Sequence, residues 1–452
     1  MGATITIRRG YDLKLNGTAQ PQITPLPPSD VVAVKPPDFP DVTPRLAVEP
    51  GQEVLAGQVL FTDKQRPDLR FTSPVSGEVA EIVRGEKRRI LEIRLLADRE
   101  TRYVAFPASS PDALSRDELI ARLLESGCWA YVRQRPFNLI ADSQQVPKAI
   151  FVSCFDSAPL APDLAFVIQQ EPDAFRTGLG VLKKLANGNL HVSFSAQSNG
   201  FSRHEAFVDI PTNCRHVFKG PHPAGNVGIQ VHHLDPLRKG EVVWYVHPQD
   251  VIVLGRLFTA GHYRAERLVA LTGNCVRQPR YFRLVGGQHL PSVLTGELTD
   301  DRCRIIEGNV LSGKTSSFNA FLSFYTQQLT AIAEGDQPEF LGWLAPGFQK
   351  LSLSRTFFSW LFPNRTYDLT TNTHGEERAF VMTGQYEKVL PMNILPVYLL
   401  KAILAKDVER MEQLGIYEVS EEDFALCEFV CTSKIDVQRI IAEGLELARR
   451  EG

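Results

Sequence analysis

One segment of this sequence has the residue types and spacing of a phosphate-binding loop. Residues 308–315 read GNVLSGKT and match the pattern G-x4-G-K-[ST], in which backbone N–H groups, the lysine and the hydroxyl hold phosphates and Mg²⁺. The loop interior has no glycine, and no later apolar strand ends in the aspartate that completes such sites. We therefore interpret 308–315 as a turn after a strand, followed by a capped helix. The alternative is nucleotide binding, which Lys314→Ala would abolish.

Cysteine and histidine supply the other candidate ligands. Cys427 and Cys431 stand four residues apart in a helical pattern, but an iron–sulfur cubane needs four thiolates. Eight histidines lie in the middle of the chain at spacings that match no closed metal template: His191, His204, His216, His222, His232, His233, His247 and His262. We predict two buried thiols at 427 and 431 and no metal site.

The elements that must position these residues indicate several domains. Residues 1–100 are rich in strands, interrupted by a proline-rich loop at 25–44. Strands and helices then alternate to about residue 255, which indicates an α/β layer; the helix at 115–127 begins with a Ser cap and ends at Gly127. Short strands follow at about 251–311. The rest is predicted to be mostly helical, with helices at 321–335, 393–415 and 434–452.

Composition limits the class of protein. A chain of 452 residues is too long for one core. Its net charge of −3 gives no overall basic field for nucleic acid. No apolar run approaches the roughly 20 residues that span a bilayer, and the N-terminus lacks a secretory apolar region. Seven scattered cysteines suit a reducing compartment. Any membrane role is therefore expected to be peripheral.

The segment 50–82 is the most informative. Its turn glycines Gly51, Gly57 and Gly77, with Val54, Leu60 and the pair Ser73-Pro74, resemble biotinyl and lipoyl carrier domains. Those domains carry a lysine in a Met-Lys-Met type hairpin. Here the hairpin at 63–67 reads DKQRP, so Lys64 is not expected to be an attachment site.

Longer segments resemble one family. The runs ITIRRGYDLKLNG, LFTDKQRP, FTSPVSGEVAEIVRGEKRRILEI and RLVALTGNCVRQPRYFRLVGGQHLPSVL are similar to the A subunits of bacterial Na⁺-translocating NADH:quinone oxidoreductases. That family is related to the C subunits of Rnf complexes and to the flavin-bearing subunit of complex I. The resemblance implies a multidomain α/β plus β fold. Its parts are a carrier-like β-sandwich (barrel-sandwich hybrid) at 1–100, a Rossmann-like α/β domain at 101–256, a β-grasp (soluble-ligand-binding) module at 257–329 and a C-terminal helical bundle at 330–452.

The same resemblance implies lost cofactors. In the relatives a loop of the GGAGFPT kind holds FMN phosphate, whereas residues 128–137 read CWAYVRQRPF here. Cys427 and Cys431 resemble the last two ligands of a C-x2-C-x2-C-x3-C-P motif, with Glu421 and Phe424 at the missing positions. Leu390 precedes Pro-Met-Asn where relatives have a cysteine that binds the second cluster. We expect neither FMN nor an iron–sulfur cluster, and a helical bundle that is a degenerate iron–sulfur domain.

The resemblance implies a peripheral subunit on the cytoplasmic face of the bacterial inner membrane. Its partners would be the membrane subunits B–E and the F subunit, which carries flavin and iron–sulfur, in a complex that passes electrons from NADH to ubiquinone and exports Na⁺. A quinone site needs an apolar slot with a few polar groups; the candidates are Phe39, Arg133, Arg135, Phe137 and Phe155. No catalytic residue is predicted. The alternatives are a scaffold subunit without a ligand and a cofactor-bearing subunit of the Rnf type.

Overall fold

The computed structural model describes residues 4–198, 201, 204–336, 342, 344–351 and 353–452. Its strands are β1 Thr4–Thr6, β2 Gln20–Pro25, β3 Val31–Val34, β4 Pro44–Leu46, β5 Glu53–Val54, β6 Val59–Asp63, β7 Arg70–Thr72, β8 Gly77–Arg84, β9 Ile90–Ala97, β10 Arg133–Arg135, β11 Leu139–Ile140, β12 Ile150–Ser153, β13 Leu190–Ser195, β14 Arg215–Lys219, β15 Val243–Tyr245, β16 Glu266–Thr272, β17 Arg280–Val285, β18 Cys303–Glu307, β19 Lys314–Ser316 and β20 Gln328–Ala333. Its helices are α1 Arg116–Glu125, α2 Leu164–Gln169, α3 Pro172–Leu185, α4 Val227–Leu234, α5 Pro248–Ala260, α6 Pro291–Leu294, α7 Tyr386–Val389, α8 Pro396–Leu404, α9 Val408–Gln413, α10 Ala425–Phe429 and α11 Val437–Glu451.

Two small antiparallel sheets form much of the N-terminal region, in the orders β3-β9-β8-β5 and β4-β6-β7. The predicted hairpin at 63–67 joins β6 to β7 and is confirmed. Asp63 stabilises this turn, because its carboxylate accepts hydrogen bonds from the Gln65 amide at 3.3 Å and from the Arg66 Nε at 3.1 Å. The prediction of a loop throughout the proline-rich segment 25–44 is wrong at Val31–Val34, which forms β3 because it pairs with β9 and is largely buried.

The first two strands belong to other sheets. Strand β1 runs parallel to β14, and β2 runs parallel to β17. Ile7, Leu13 and Leu15 are buried in the same apolar cluster as the C-terminal helices. The N-terminal segment therefore ties together regions far apart in sequence, and the predicted domain boundaries at 100, 256 and 329 stay predictions.

An α/β layer follows. In the described part of the chain its sheet has the order β1-β14-β13-β12-β15-β10-β11, parallel except for the hairpin β10–β11 and its pairing to β15. The predicted helix α1 is confirmed: Ser115 and Glu118 form a reciprocal capping box and Gly127 takes a left-handed φ of 77°. The apolar run at 164–188, which reads in sequence as one helix ended by Asn187-Gly188, forms two helices, because Pro172 starts α3 after a break at 170–171.

A second mixed sheet has the order β19-β18-β20-β16-β17-β2 among the described residues. Two predictions here are wrong. Residues 251–260 belong to helix α5, whose Val-Ile-Val-Leu run resembles a strand because the helix is buried on every side and so shows no apolar period. The helix expected at 321–335 is instead irregular chain followed by β20, which is buried on both faces between β18 and β16 and so lacks alternation.

The C-terminal region is helical only from Tyr386 onward, and in short pieces. The prediction of a helical region over 330–452 is wrong for the described residues between 334 and 385, which contain no α-helix because this stretch is irregular chain after β20. The helix expected at 393–415 divides into α8 and α9, because Lys406 has a φ of 54° and Asp407 then caps α9 through the Arg410 amide. The last helix, α11, is confirmed and has a strongly amphipathic sequence, with Ile440, Ile441 and Leu445 buried. Within the described residues, no helix is both long and apolar enough to cross a membrane.

Candidate functional site

The five candidate quinone residues fall into two groups. Phe39 and Arg133 both contact the ring of Tyr325: the Phe39 and Tyr325 ring centroids are 6.0 Å apart, and the Arg133 guanidinium carbon is 4.6 Å from the Tyr325 centroid. Phe137 and Phe155 instead pack against the cluster that contains the C-terminal helices. Arg135 points the same way, toward the acidic pair at 422–423.

Arg133 is the central side chain of the first group. It lies on β10 and is half-buried, between Tyr325 and the ring of Tyr245, whose centroid is 5.8 Å away. Within the described part of the chain its guanidinium donates to one acceptor, the Asn138 carbonyl. A guanidinium has five N–H donors, so most of them remain for a further acceptor. We call Phe39, Arg133, Tyr245 and Tyr325 the Tyr325 cluster.

The backbone beside Arg133 turns sharply. Phe137 and Asn138 have φ values of 75° and 56° in the tight turn between β10 and β11. A left-handed φ is unfavourable for a bulky residue such as phenylalanine. Two contacts hold this conformation: the Phe137 ring meets Tyr417 edge-on at 6.0 Å, and Tyr245 donates its hydroxyl hydrogen to the Asn138 side-chain oxygen.

Arg135 forms a buried ion-pair network with the C-terminal region. Its side chain is 2% exposed, and its Nη1 donates to Asp423 Oδ2 at 3.1 Å, while Nη2 donates to Glu422. Asp423 is itself fully buried and also accepts the Ser420 amide and hydroxyl at 3.1 and 3.0 Å. A β-carbon on Gly228, in the first turn of α4, would lie 2.4 Å from this carboxylate. The acidic side chain thus joins the α/β sheet and α4 to the C-terminal helices.

A second set of buried polar side chains lies beside Phe324, next to the Tyr325 cluster. The hydroxyls of Tyr131 and Tyr263 are 3.0 Å apart, and the Tyr131 ring stacks on Phe324 at 4.7 Å. Arg267 and Asp250 form a buried pair at 3.5 Å. Burial raises the pKa of Asp250 to about 6, although Arg267 acts in the opposite direction.

Family models match most of the chain. They are described as the NqrA N-terminal barrel-sandwich hybrid domain for residues 5–98, the NqrA second alpha/beta domain for 114–263 and the NQRA C-terminal domain for 268–317. Proteins named as the A subunit of Na(+)-translocating NADH-quinone reductase are similar over nearly the full length. The one in Pseudomonas aeruginosa is 39% identical over 99% of this chain and 100% of its own. The chain belongs to the NqrA family, the A subunits of Na(+)-translocating NADH-quinone reductases.

Two further A subunits are similar to this chain at nearly the same level of identity. The A subunit of Hahella chejuensis is 38% identical over 99% of this chain and 100% of its own, and that of Rhodopirellula baltica is 37% identical over 99% and 98%. An NAD⁺-reducing [NiFe]-hydrogenase structure covers 50% of this chain and 48% of its own at 11% identity, with a TM-score of 0.37, which is too low to support an argument. The predicted mixed α/β plus β fold is confirmed at the level of its barrel-sandwich and α/β domains.

In this NqrA-family chain, residues 128–137 do not form an open phosphate cradle. The four side chains from Cys128 to Tyr131 are almost completely buried in a 3₁₀ turn. Trp129 donates its indole N–H to the Ala141 carbonyl at 2.8 Å and meets Trp244 edge-on at 5.3 Å. Bulky, packed side chains do not leave backbone N–H groups open to a phosphate as a glycine loop does, so these residues do not fit the FMN phosphate.

The C-terminal thiols are buried, as predicted. Cys427 and Cys431 are both free cysteines in the core, and burial raises the pKa of Cys427 well above its usual value. The Tyr386 hydroxyl donates to Cys431 Sγ at 3.0 Å. Glu421, at one missing ligand position, lies in the 3₁₀ turn that presents the acidic pair to Arg135. Across the described residues, no group of three or more His, Cys, Asp and Glu is arranged to hold a metal ion.

The segment 308–315 is a β-hairpin and not a loop before a helix. Strands β18 and β19 pair antiparallel, with Glu307 opposite Lys314. The Asn309 side-chain oxygen accepts the amides of Leu311 and Ser312 at 2.8 and 3.1 Å. The prediction of a capped helix after this segment is therefore wrong, and these two turn amides, which a phosphate would need, are already paired within the turn.

The cavities do not coincide with the predicted residues. A cleft of about 860 Å³ lies where the proline-rich segment meets the second mixed sheet, lined in part by Pro27, Pro28, Arg94, His289 and Phe321. A small cavity of about 20 Å³ touches Tyr131, Arg267 and Phe324, which is room for about one water molecule. None of the five candidates lines either space.

Sequence reasoning missed the partners of the two arginines. Tyr245 and Tyr325 stand far along the chain from Arg133, and no local pattern marks them as its neighbours. The acidic run at 421–423, by contrast, is visible as three successive carboxylates directly before the apolar residues 424–427. Of the three, Asp423 is fully buried, and a buried carboxylate is strongly unfavourable without a cation opposite it.

Proposed function

We propose that this chain is a peripheral subunit on the cytoplasmic face of the bacterial inner membrane, within a complex that passes electrons from NADH to ubiquinone and exports Na⁺. Its partners in this proposal are the membrane subunits B–E and the F subunit, which carries flavin and iron–sulfur. The support is the full-length similarity to proteins named as the A subunit of Na(+)-translocating NADH-quinone reductase, at 39% identity over 99% of the chain.

The chain itself takes part in ubiquinone reduction through the Tyr325 cluster. The observation that carries this proposal is the half-buried Arg133 guanidinium between two tyrosine rings, with N–H donors left over after its bond to Asn138. A quinone presents a flat ring and two carbonyl acceptors, which suit an aromatic wall and a charged donor. Phe39 is buried behind Tyr325 and positions it. Arg135 and Phe137 face the C-terminal region from the β10–β11 hairpin, and Phe155 packs against the same apolar cluster.

In this proposal the chain is a redox-enzyme architecture that binds neither FMN nor an iron–sulfur cluster. The bulky, buried side chains at 128–131 and the two remaining cysteines at 427 and 431 support it. The α/β layer is Rossmann-like, the second mixed sheet contains a β-grasp module, and the C-terminal helices are a degenerate iron–sulfur bundle. The parallel run β14-β13-β12-β15 supports the first of these assignments.

The test is Arg133→Gln in the assembled complex. Loss of a hydrogen bond from a charged donor is worth about 1.5–3 kcal/mol, so we expect the KM for ubiquinone to rise about tenfold or more. NADH oxidation with an artificial acceptor that takes electrons from the flavin-bearing subunit should not change. The matched control is Arg116→Gln, which removes another guanidinium held beside an aromatic ring, 5.9 Å from Trp244 and away from Tyr325.

A second candidate function is a scaffold that only docks other subunits. The specific observation in its favour is that Arg135 is engaged by both Asp423 and Glu422, while the cleft of about 860 Å³ does not reach the candidate residues. A scaffold predicts that Arg133→Gln leaves the KM for ubiquinone unchanged. It also predicts that variants which impair quinone turnover do so by reducing the amount of assembled complex.

A further inference from the structure

Exposed large apolar side chains concentrate in one part of the chain. Between residues 344 and 362 six of them are 44–64% exposed: Leu344, Phe348, Phe358, Trp360, Leu361 and Phe362. We call these six side chains the 344–362 patch. Single exposed apolar residues are normal on a protein surface, but a group of aromatic ones marks an interaction site.

The patch is a structured surface. The Phe348 ring lies 6.0 Å from Phe358 and 6.2 Å from Phe362. The Phe358 amide donates to the Pro346 carbonyl at 2.9 Å, and residues 358–361 form a 3₁₀ turn whose Ser359 is buried. The rings of Phe348, Phe358 and Phe362 therefore lie together, and the 3₁₀ turn carries Trp360 and Leu361 beside them.

Basic residues accompany the patch. Residues 340–367 contain Lys350, Arg355 and Arg365 but no aspartate or glutamate, although acidic residues outnumber basic ones in the whole chain. The Arg355 guanidinium lies 5.9 Å from the Trp360 ring centroid, and Arg365 donates to the Phe348 carbonyl at 3.4 Å. Lys14 adds a further cation, since its Nζ donates to the Pro363 carbonyl at 2.9 Å.

We propose that the 344–362 patch docks this chain on an anionic lipid surface. Tryptophan and phenylalanine enter the boundary between headgroups and acyl chains, while lysine and arginine beside them contact anionic headgroups. Protein interfaces usually carry a polar rim, whereas the three charged residues within 340–367 are all basic, with the exposed Asp368 next along the chain. The inference rests on the proposed attachment to the inner membrane and deepens it. It requires no quinone chemistry, so the two proposals can fail separately.

The experiment is flotation of the full chain with vesicles of phosphatidylethanolamine and phosphatidylglycerol, compared with vesicles of phosphatidylcholine alone. We expect binding to the anionic vesicles that weakens at high salt. Trp360→Ser/Phe362→Ser should weaken it about tenfold or more, because two aromatic side chains no longer leave water. Arg355→Gln/Arg365→Gln should weaken it about fivefold per charge.

The matched control is Val146→Ser/Val208→Ser, which removes two exposed apolar side chains outside the patch. It should bind vesicles like the wild type. Circular dichroism and the urea midpoint of every variant should match the wild type, because all the changed side chains are exposed or half-exposed. The proposal is overturned if the wild type does not float, or if the patch variants float equally well. Self-association or binding to a membrane subunit that is lost in Trp360→Ser, without vesicle binding, also overturns it.

Discussion

Arg135 and Asp423 show how a single ion pair can connect distant parts of this chain. Both side chains are buried, and 288 positions separate them in sequence. Charges removed from water are stabilised only when each has its partner, so removal of one leaves the other in an unfavourable environment. The pair therefore matters more for holding the C-terminal helices on the α/β sheet than a surface pair would.

We predict that Arg135→Met lowers the stability of the chain strongly. Breaking a buried pair by removing one partner costs about 3–5 kcal/mol, so the urea midpoint should fall clearly and the C-terminal helices should unfold first. The control is Arg439→Met, which removes an exposed pair with Asp436 and should change stability by about 1 kcal/mol or less. Equal midpoints for the two variants would show that the Asp423 carboxylate finds another partner.

Asp250 provides a pH-dependent prediction. Burial raises its pKa to about 6, so the folded chain binds a proton that the unfolded chain has already released between about pH 4 and pH 6. Stability contributed by this residue therefore falls as pH rises through that window, by ~3 kcal/mol at most. Asp250→Asn cannot titrate. Relative to the wild type, Asp250→Asn should therefore gain unfolding free energy as the pH rises from about 4 to about 7. Urea titrations at both pH values measure it, and a constant difference would contradict the raised pKa.

At the scale of elements, helices α3 and α5 pack unusually closely through glycine. A β-carbon on Gly178 would lie 2.1 Å from the Val251 carbonyl oxygen, and one on Gly255 would lie 1.7 Å from the Ala174 carbonyl oxygen. Gly178 and Gly180 lack the third glycine of a dinucleotide-binding motif. The close packing of α3 on α5 explains why residue 178 is a glycine. Gly180 has no neighbouring atom within 4 Å of such a β-carbon.

The two glycines of α3 therefore make a matched pair. Gly180→Ala should raise the free energy of unfolding by about 0.5–1 kcal/mol, because alanine favours the helix more than glycine does. Gly178→Ala should lower it by about 1–3 kcal/mol, because the added methyl group forces the two helices apart. Urea denaturation monitored by circular dichroism compares them. Similar effects of both substitutions would contradict the close packing.

Elements are predicted best from the sequence where local signals are complete. Ser115, Glu118 and Gly127 mark the ends of α1, and the amphipathic pattern marks α11. Prediction fails at α5 and β20, because an element buried on every side has no period that separates helix from strand. The break between α8 and α9 is also missed, since it depends on the left-handed φ of Lys406, a residue type that does not mark such a turn.

At the scale of the whole molecule, family resemblance supplies what local patterns cannot. It leads to the barrel-sandwich and α/β domains and to the family, which the comparisons confirm. It does not reveal that β1 and β2 enter the sheets of other regions, because strand pairing across the chain depends on tertiary contacts. Nor does it reveal that Arg133 meets Tyr325 or that Arg135 meets Asp423, since these contacts join elements far apart in sequence.

The most direct test of a quinone site at the Tyr325 cluster is calorimetric titration of a short-tailed ubiquinone into the purified full chain and its Arg133→Gln variant. We predict saturable binding to the wild type and an affinity about tenfold or more weaker in the variant, since a charged donor to a quinone carbonyl is lost. Arg116→Gln should bind like the wild type. Absence of saturable binding to the wild type, or equal affinity in Arg133→Gln, would contradict the site and favour the scaffold function.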